Sequence, residues 1–462
     1  MHLLRKTDSL SHAQDHGDTI VAVATAPGRG GIGIVRLSGP QALEIAQSLC
    51  QKQLPARSAT LAYFRDADDV AIDQGVALYF PAPGSFTGEE VVELQGHGGP
   101  IILDTVVEAC VVAGARLARP GEFSERAFLN DKMDLTQAEA VADLIAASTR
   151  GAARSALRSL QGDFSQRISR LQTALTLFRV QVEAALDFPD EDIDLIAEGA
   201  LDKDFENLSS ELGNLLAETK RGALLRDGAV VVLAGQPNAG KSSLLNCLAG
   251  DDLAIVTEIA GTTRDTLSHF VQIGDLAVEL VDTAGLRETS DIVEMEGVRR
   301  ARKRIEQADA LLLVVDSHAG FDEKDCLLLT EFQHLPVLLV LNKSDLSTGA
   351  VPDLDCAVCE VSAKNKQGIK NLEEKLSILI GMDLDAEGTF SARQRHVDCL
   401  WKTQSHLSKA KEWLDAGRKG AVCGEFLAEE LRLAQECLSG VTGEFAADDL
   451  LGEIFGSFCI GK

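Results

Sequence analysis

No apolar run in this 462-residue chain approaches the ~20 residues of a membrane span, which excludes a transmembrane helix. The first residues, Met1 to Leu10, lack the long apolar core of a signal peptide, and residues 1–17 are expected to form a loose extension. Basic residues are in short supply: 44 Lys and Arg face 71 Asp and Glu, a formal net charge of −27. That balance argues against a protein coated in basic surface but leaves room for a local RNA-binding patch. The ten cysteines have no regular pairing distances and, without an export signal, read as reduced thiols of a cytoplasmic protein. The close pair Cys356 and Cys359 lacks the second pair that a metal site needs, so it reads as structural.

What the chain does contain is an ordered set of nucleotide motifs. Gly235-Gln-Pro-Asn-Ala-Gly-Lys-Ser242 fits the phosphate-binding loop G-x-x-x-x-G-K-[ST], between the β-branched run Ala229 to Ala234 and a helix-like segment, Ser242 to Ala249. A strand, a Gly-rich turn and a helix start suit a polyphosphate, because backbone N–H groups converge on it and the helix dipole favours its charge. Lys241 is expected on the β- and γ-phosphates and Ser242 on Mg²⁺; Asn238, Ala239, Gly240 and Ser243 complete the loop's contacts. The loop alone leaves ATP and GTP open. Asp282-Thr283-Ala284-Gly285 ends the alternating run Leu276 to Val281, and Asn342-Lys343-Ser344-Asp345 ends the run Leu335 to Leu341. Asn-Lys-x-Asp reads guanine: the Asp345 carboxylate accepts from N1–H and the exocyclic amine, and against adenine it would be left unpaired. Ser362-Ala363-Lys364 resembles the last guanine-contacting loop, and Gly261 to Asp265 is a plausible first switch with a Thr for Mg²⁺. Four motifs in order, each at a strand end, specify a GTPase domain.

The length implies about two to four domains. Residues 18–133 mix short apolar runs with two helix-like stretches, Pro40 to Leu49 and Ile101 to Gly114, an α+β pattern. Residues 134–228 have helical periodicity, with an acidic break at Asp187 to Asp194 and a further helix over Leu201 to Thr219. Residues 229–382 alternate β and α. Residues 383–462 turn helical again, with apolar Leu400, Trp401, Leu407 and Trp413. Helical segments on both sides predict one discontinuous α-helical domain carrying an inserted Ras-like GTPase module, within an α/β multidomain chain; the alternative is three domains in series, which weak packing of 391–462 against 121–228 would support.

Further motifs carry a family resemblance. They are Ala26 to Gly33, Ser85 to Gly99, Arg119 to Asn130, Asp134 to Ala140, Asp187 to Asp192 and the ending Cys459-Ile-Gly-Lys462. Over nearly its full length the chain resembles the MnmE (TrmE) family of bacterial tRNA-modification GTPases; the poorest fit is the long N-terminal extension. The resemblance implies an N-terminal tetrahydrofolate-binding and dimerisation domain, a homodimer and a cytoplasmic location. It also implies an FAD-dependent partner, MnmG, in a heterotetramer or larger complex. The pair would install an aminomethyl or carboxymethylaminomethyl group at C5 of the wobble uridine of certain tRNAs. The one-carbon unit would come from 5-formyl- or methylene-tetrahydrofolate.

Ras-type GTPases place a water-orienting Gln where this chain has Leu286, so either hydrolysis is slow or another group acts. The resemblance supplies Glu294, working through a second water. It supplies K⁺ in place of an arginine finger, held by Asn238, Thr257, Ile259 and Thr262, with Ser242 and Thr263 on Mg²⁺; Thr257 also contacts GTP. Arg264 and Arg287 are the alternatives for the charge. The implied folate site is Arg36, Glu93, Lys132 and Lys462, and Cys459 is a candidate for chemistry or tRNA-site geometry. Arg150, Arg154 and Arg158 share a helix face and suit either tRNA phosphates or solvent. The cluster Arg299 to Arg304 suits a switch-coupled interface or solvent. Rival readings are a ribosome-assembly GTPase of the Era or Der type, against which stand the single set of GTPase motifs and the lack of an Era-like C-terminal RNA-binding appendage, and a non-enzymatic signalling switch, against which the folate-like motifs argue.

Overall fold

The computed structural model describes residues 17–187, 201–249, 268–283, 299, 303–346, 354–382, 389–418, 424–443 and 448–461. The chain forms two compact units, one of residues up to Ala142 with Thr442–Lys462, the other Asp143–Val441. Among the described residues no helix is long and apolar enough to cross a membrane.

The first unit is built on a six-stranded sheet in the order β3-β4-β5-β2-β1-β6. Its strands are β1 (Ile20–Val23), β2 (Gly30–Ser38), β3 (Thr60–Arg65), β4 (Ala71–Phe80), β5 (Val91–Gly98) and β6 (Arg116–Leu117). Pairing is antiparallel except between β1 and β6. Alternation sends Val21, Val35, Leu37, Val92 and Leu94 to a core capped by α1 (Ala42–Cys50) and α2 (Pro100–Val112). Ile20 and Ala22 pack instead with Ala118, Phe86 and Phe123 of α3 (Glu122–Leu129). The start of α4 (Leu135–Ala146) and α13 (Asp448–Gly456) share a small core of Leu135, Ala138, Ile454, Phe455 and Phe458.

The second unit joins a helical core to a second six-stranded sheet. The helices are α5 (Arg150–Leu160), α6 (Asp163–Asp187), α7 (Asp202–Asp227), α11 (Gln394–Arg418) and α12 (Gly424–Thr442). The single long helical run of the sequence breaks at Thr149, which caps α5 through its side chain, and at Gly162 with φ +93°. α7 runs eight residues past the expected Thr219, because Leu225 still has an apolar neighbourhood to enter. Phe164 of α6 stacks on Phe390 with centroids 4.4 Å apart, so segments before and after the inserted domain fill one core. Leu400 and Leu407 enter that core, whereas Trp401 is 59% exposed.

The second sheet has the order β12-β11-β10-β7-β9-β8. Its strands are β7 (Ala229–Ala234), β8 (Ser268–Ile273), β9 (Leu276–Asp282), β10 (Ala310–Asp316), β11 (Val337–Asn342) and β12 (Ala357–Glu360). Only β8–β9 is antiparallel. Its parallel strands are buried on both faces, which explains runs such as Ala310 to Val315. The flanking helices are α8 (Lys241–Ala249), α9 (Glu323–Glu331) and α10 (Ile369–Leu379). This is an α/β multidomain protein with an α+β N-terminal domain, a discontinuous helical domain and an inserted Ras-like G domain.

Candidate functional site

β7, β9, β11 and β12 end on one edge of the G-domain sheet, and each is followed by a motif loop. After β7, Gly235 (φ +150°) and Gly240 (φ +94°) hold conformations rare for side-chain-bearing residues. A Cβ on Gly235 would lie 2.2 Å from the Val314 carbonyl oxygen, and one on Gly240 would lie 2.2 Å from Asn342 Nδ2. Asn238, at φ +67°, is exposed on this loop. The loop runs directly into α8, whose N-terminus favours an anion.

Lys241 is 8% exposed, and its Nζ donates to the carbonyls of Gly235 (2.7 Å) and Gln236 (3.1 Å). Burial pushes its pKa below the ordinary lysine value, with Asp282 opposing the shift. A phosphate in the loop would supply the counter-charge that this buried ammonium needs. Asp282 is in register with Leu233 on β7, and Thr283 Oγ1 donates to the Leu233 carbonyl at 3.2 Å. The exposed hydroxyls of Ser242 and Ser243 open α8. A hydroxyl and a carboxylate following adjacent parallel strands are the hard oxygen ligands Mg²⁺ prefers.

The base end is held by Asn342, which is 2% exposed. Its Nδ2 donates to the Ala239 carbonyl (3.0 Å) and its Oδ1 accepts from the Ala363 N–H (3.2 Å). One amide therefore joins three loops. Asp345 is exposed, and one carboxylate oxygen accepts from buried Ser362 Oγ at 2.6 Å. Fixed in this way, the carboxylate suits a paired N–H edge such as guanine's. Lys343, at φ +64°, puts its Nζ 2.6 Å from Asp316 Oδ2. Burial alone would raise the Asp316 carboxyl; Lys343 and the His318 N–H hold it below its ordinary value. Lys364 is exposed on the last loop.

Two supports escaped the sequence reading. Asp316 ends the run Ala310 to Val315 just as Asp282 and Asn342 end theirs, and that signal would have found it. Gln236 Nε2 donates to Asp322 Oδ1 (2.8 Å) and Asp325 Oδ1 (3.1 Å), anchoring the phosphate loop to the start of α9, and nothing local announces it. Thr257, Ile259, Thr262, Thr263, Arg264, Ala284, Gly285, Leu286, Arg287, Glu294 and Lys462 lie outside the described residues.

In the first unit, Arg36 and Glu93 face each other across β2 and β5, with Nη2 2.9 Å from Oε1. Gln95 Nε2 donates to the other Glu93 oxygen at 3.2 Å. The Arg36 guanidinium lies 5.6 Å from the Phe86 ring centre and 5.8 Å from that of Phe123. Phe123 is fully buried, whereas the half-buried Phe86 ring beside a guanidinium and a carboxylate suits a flat heterocycle with a donor-acceptor edge and an anionic tail. Lys132 Nζ donates to the Pro83 carbonyl at 2.9 Å, on the loop that also carries Phe86. The C-terminal segment reaches this sheet. The exposed Cys459 accepts at its carbonyl from the Gly121 N–H, and Gly461 packs so tightly that a Cβ would lie 2.1 Å from the Val23 carbonyl oxygen.

Of the basic clusters, Arg154 is paired with Asp275 at 2.5 Å, and Arg304 lies 3.3 Å from Glu279 of β9. Arg150 is exposed and Arg158 half-buried. Cys359 is packed in the G-domain core, and burial pushes its thiol and that of Cys356 upward.

Comparisons with known proteins match this architecture. Residues 19–132 fit the family model of the GTP-binding protein TrmE N-terminus, and residues 135–459 fit that of the MnmE helical domain. The chain is 52% identical over 462 aligned residues to the tRNA modification GTPase MnmE of Ectopseudomonas mendocina (strain ymp), covering 98% of this chain and 100% of that one. It is 51% identical over 457 residues to the tRNA modification GTPase MnmE of Erwinia tasmaniensis, covering 97% of this chain and 100% of the relative. Among solved structures, the G domain of the T. maritima FeoB iron transporter is 28% identical, covering 33% of this chain and 98% of that chain at a TM-score of 0.25.

Proposed function

Because this chain belongs to the MnmE (TrmE) family of tRNA modification GTPases, we propose that it hydrolyses GTP to drive wobble-uridine modification in tRNA. With the FAD-dependent partner MnmG, the cytoplasmic homodimer adds an aminomethyl or carboxymethylaminomethyl group to C5 of the uridine. The one-carbon unit comes from a tetrahydrofolate derivative. The observation that carries the GTP reading is the single Asn342 amide bridging the phosphate loop and the base-reading loops, beside an Asp345 carboxylate fixed by Ser362.

Lys241 holds the β- and γ-phosphates, and Asp345 selects guanine. Ser242 and Thr263 would hold Mg²⁺. Asn238, Thr257, Ile259 and Thr262 would hold K⁺, the charge that other GTPases supply with an arginine finger. Glu294 orients the attacking water through a second water; direct contact would set a carboxylate against the γ-phosphate. In the N-terminal domain, Glu93 reads the pterin edge, Arg36, Lys132 and Lys462 take the anionic tail, and Phe86 forms the apolar wall. Cys459 is the candidate for chemistry or for tRNA-site geometry. GTP supplies conformational work rather than the transferred group. We place the functional boundaries at 18–133, 134–228, 229–382 and 383–462.

The first test is GTP hydrolysis in KCl against NaCl at equal ionic strength with Mg²⁺. Strong activation by K⁺ that Asn238→Ala removes is expected. Equal rates in both salts would end the K⁺ assignment and move the charge to Arg264 or Arg287. The homodimer is checked by turnover per subunit, which should fall on dilution below the dimer constant.

A further inference from the structure

Among the described residues the G domain is tied to the helical domain at the two chain connections and at one further place. The two connections meet at one carboxylate. Asp143 accepts from Arg226 Nε (2.8 Å) at the end of α7, and from Arg393 Nη2 (2.9 Å) and Ser391 Oγ (2.9 Å) where the chain returns. The third tie is the turn between β8 and β9, gripped by the start of α5. Thr149 Oγ1 donates to the Asp275 carbonyl at 2.8 Å, and Arg154 Nη2 lies 2.5 Å from Asp275 Oδ2. Gly151 lets the helix approach: a Cβ there would lie 2.5 Å from Asp275 Cβ and 2.9 Å from its carbonyl oxygen. The Thr149 hydroxyl that grips the turn also caps α5, accepting from the Ala152 N–H at 3.1 Å.

We infer that this clasp carries the nucleotide state of the G domain into the helical domain. The inference rests on the reading of GTP as a source of conformational work. β9 runs from the clasped turn to Asp282, the carboxylate beside the phosphate loop, so one strand spans the nucleotide site and α5. At ~3.3 Å per residue the two ends are about 20 Å apart. Among the described residues β8 and β9 form the edge hairpin of the sheet, hydrogen-bonded on one side only, to β7. The hairpin can therefore shift against β7 while the phosphate loop stays fixed. The Arg154–Asp275 pair is 71% and 49% exposed and contributes little to stability, as a contact that opens and closes must. Further along α5, Ser155 and Ser159 hold the returning chain at Ser391 through its N–H (3.1 Å) and carbonyl (2.9 Å). A tilt of α5 would thus be felt at the linker as well.

The test is hydrogen exchange of the full chain with GDP, and with GDP plus aluminium fluoride and K⁺. Amides of residues 150–160 should change exchange rate several-fold between the two states. In Thr149→Ala combined with Asp275→Ala, which removes both ties to the turn, and in Gly151→Ala, each checked for an intact cooperative melting transition, that response should vanish while residues 235–249 still respond. A phosphate loop that responds while α5 does not, or an α5 response that survives both substitutions, would overturn the clasp. No response in the phosphate loop would overturn the nucleotide-site reading and the clasp with it.

Discussion

Gly240→Ala is the sharpest perturbation of the nucleotide site. The added methyl meets two costs. A residue with a Cβ at left-handed φ costs about 1–2 kcal/mol. The methyl would also sit 2.2 Å from Asn342 Nδ2, so Asn342 must leave. Its bonds to the Ala239 carbonyl and the Ala363 N–H are then lost, at about 1 kcal/mol each. The sum is about 3–4 kcal/mol, and loop relaxation returns part of it. Because the strained atoms are those that enclose the phosphates and the base, the loss falls on binding. GDP affinity should drop ~100-fold, equivalent to about 2.7 kcal/mol. The assay is titration with a fluorescent GDP analogue. Gly381→Ala is the control: its φ is +78°, but nothing lies within 4 Å of the added Cβ, so it should lose a little stability and no affinity. An affinity within threefold of the parent protein, or an equal loss in both variants, would refute the reasoning.

Glu122 should govern acid stability of the N-terminal domain. Burial alone would raise its carboxyl, but Arg116, the Arg119 N–H and Arg126 hold it at about 2 instead of 4.5. A depressed carboxylate stabilises the fold above its unfolded value, and that contribution disappears as pH falls from 4.5 towards 2. Glu122→Gln should therefore lower the melting temperature at pH 7 and flatten its fall at acid pH, as thermal scans across pH would record. Asp143→Ala removes the carboxylate that Arg226, Arg393 and Ser391 share, while Arg226 keeps Asp227, and should cost about 2 kcal/mol in urea unfolding of the helical domain. Gly461→Ala drives a methyl into the Val23 carbonyl; the C-terminal segment should detach and become open to carboxypeptidase and, on the folate reading proposed above, binding of tetrahydrofolate should weaken.

Much of the G domain can be read from its sequence because its signals are local. Apolar runs buried on both faces announce parallel strands, and Gly235, Asn342 and Asp345 stand at their ends. The long apolar periodicity after Thr136 predicts helix, but only the cap at Thr149 and the left-handed Gly162 divide it into three. Contacts far apart in sequence leave no such mark. Asp143 is an ordinary helical Asp until the topology brings Arg226 and Arg393 to it. Phe86 looks like a core aromatic until Arg36 is found beside its half-buried ring. Gly151 reads as a weak helix residue, yet its missing side chain admits the β8–β9 turn.

The helical core draws on α6 and α7 before the G domain and on α11 and α12 after it. During synthesis the first pair emerges with Phe164, Leu171, Phe178 and Leu212 uncovered, and their partners Leu400, Leu431 and Leu438 follow only after the whole G domain. At translation rates of ~5–20 residues per second that interval is about 10–30 s, long beside the folding of a small α/β domain. The G domain, whose contacts lie within one stretch, can mature while α6 and α7 wait. The nascent chain is thus a client for chaperone cover over its helical half, and truncations that stop before α11 should aggregate even though their G domain is intact.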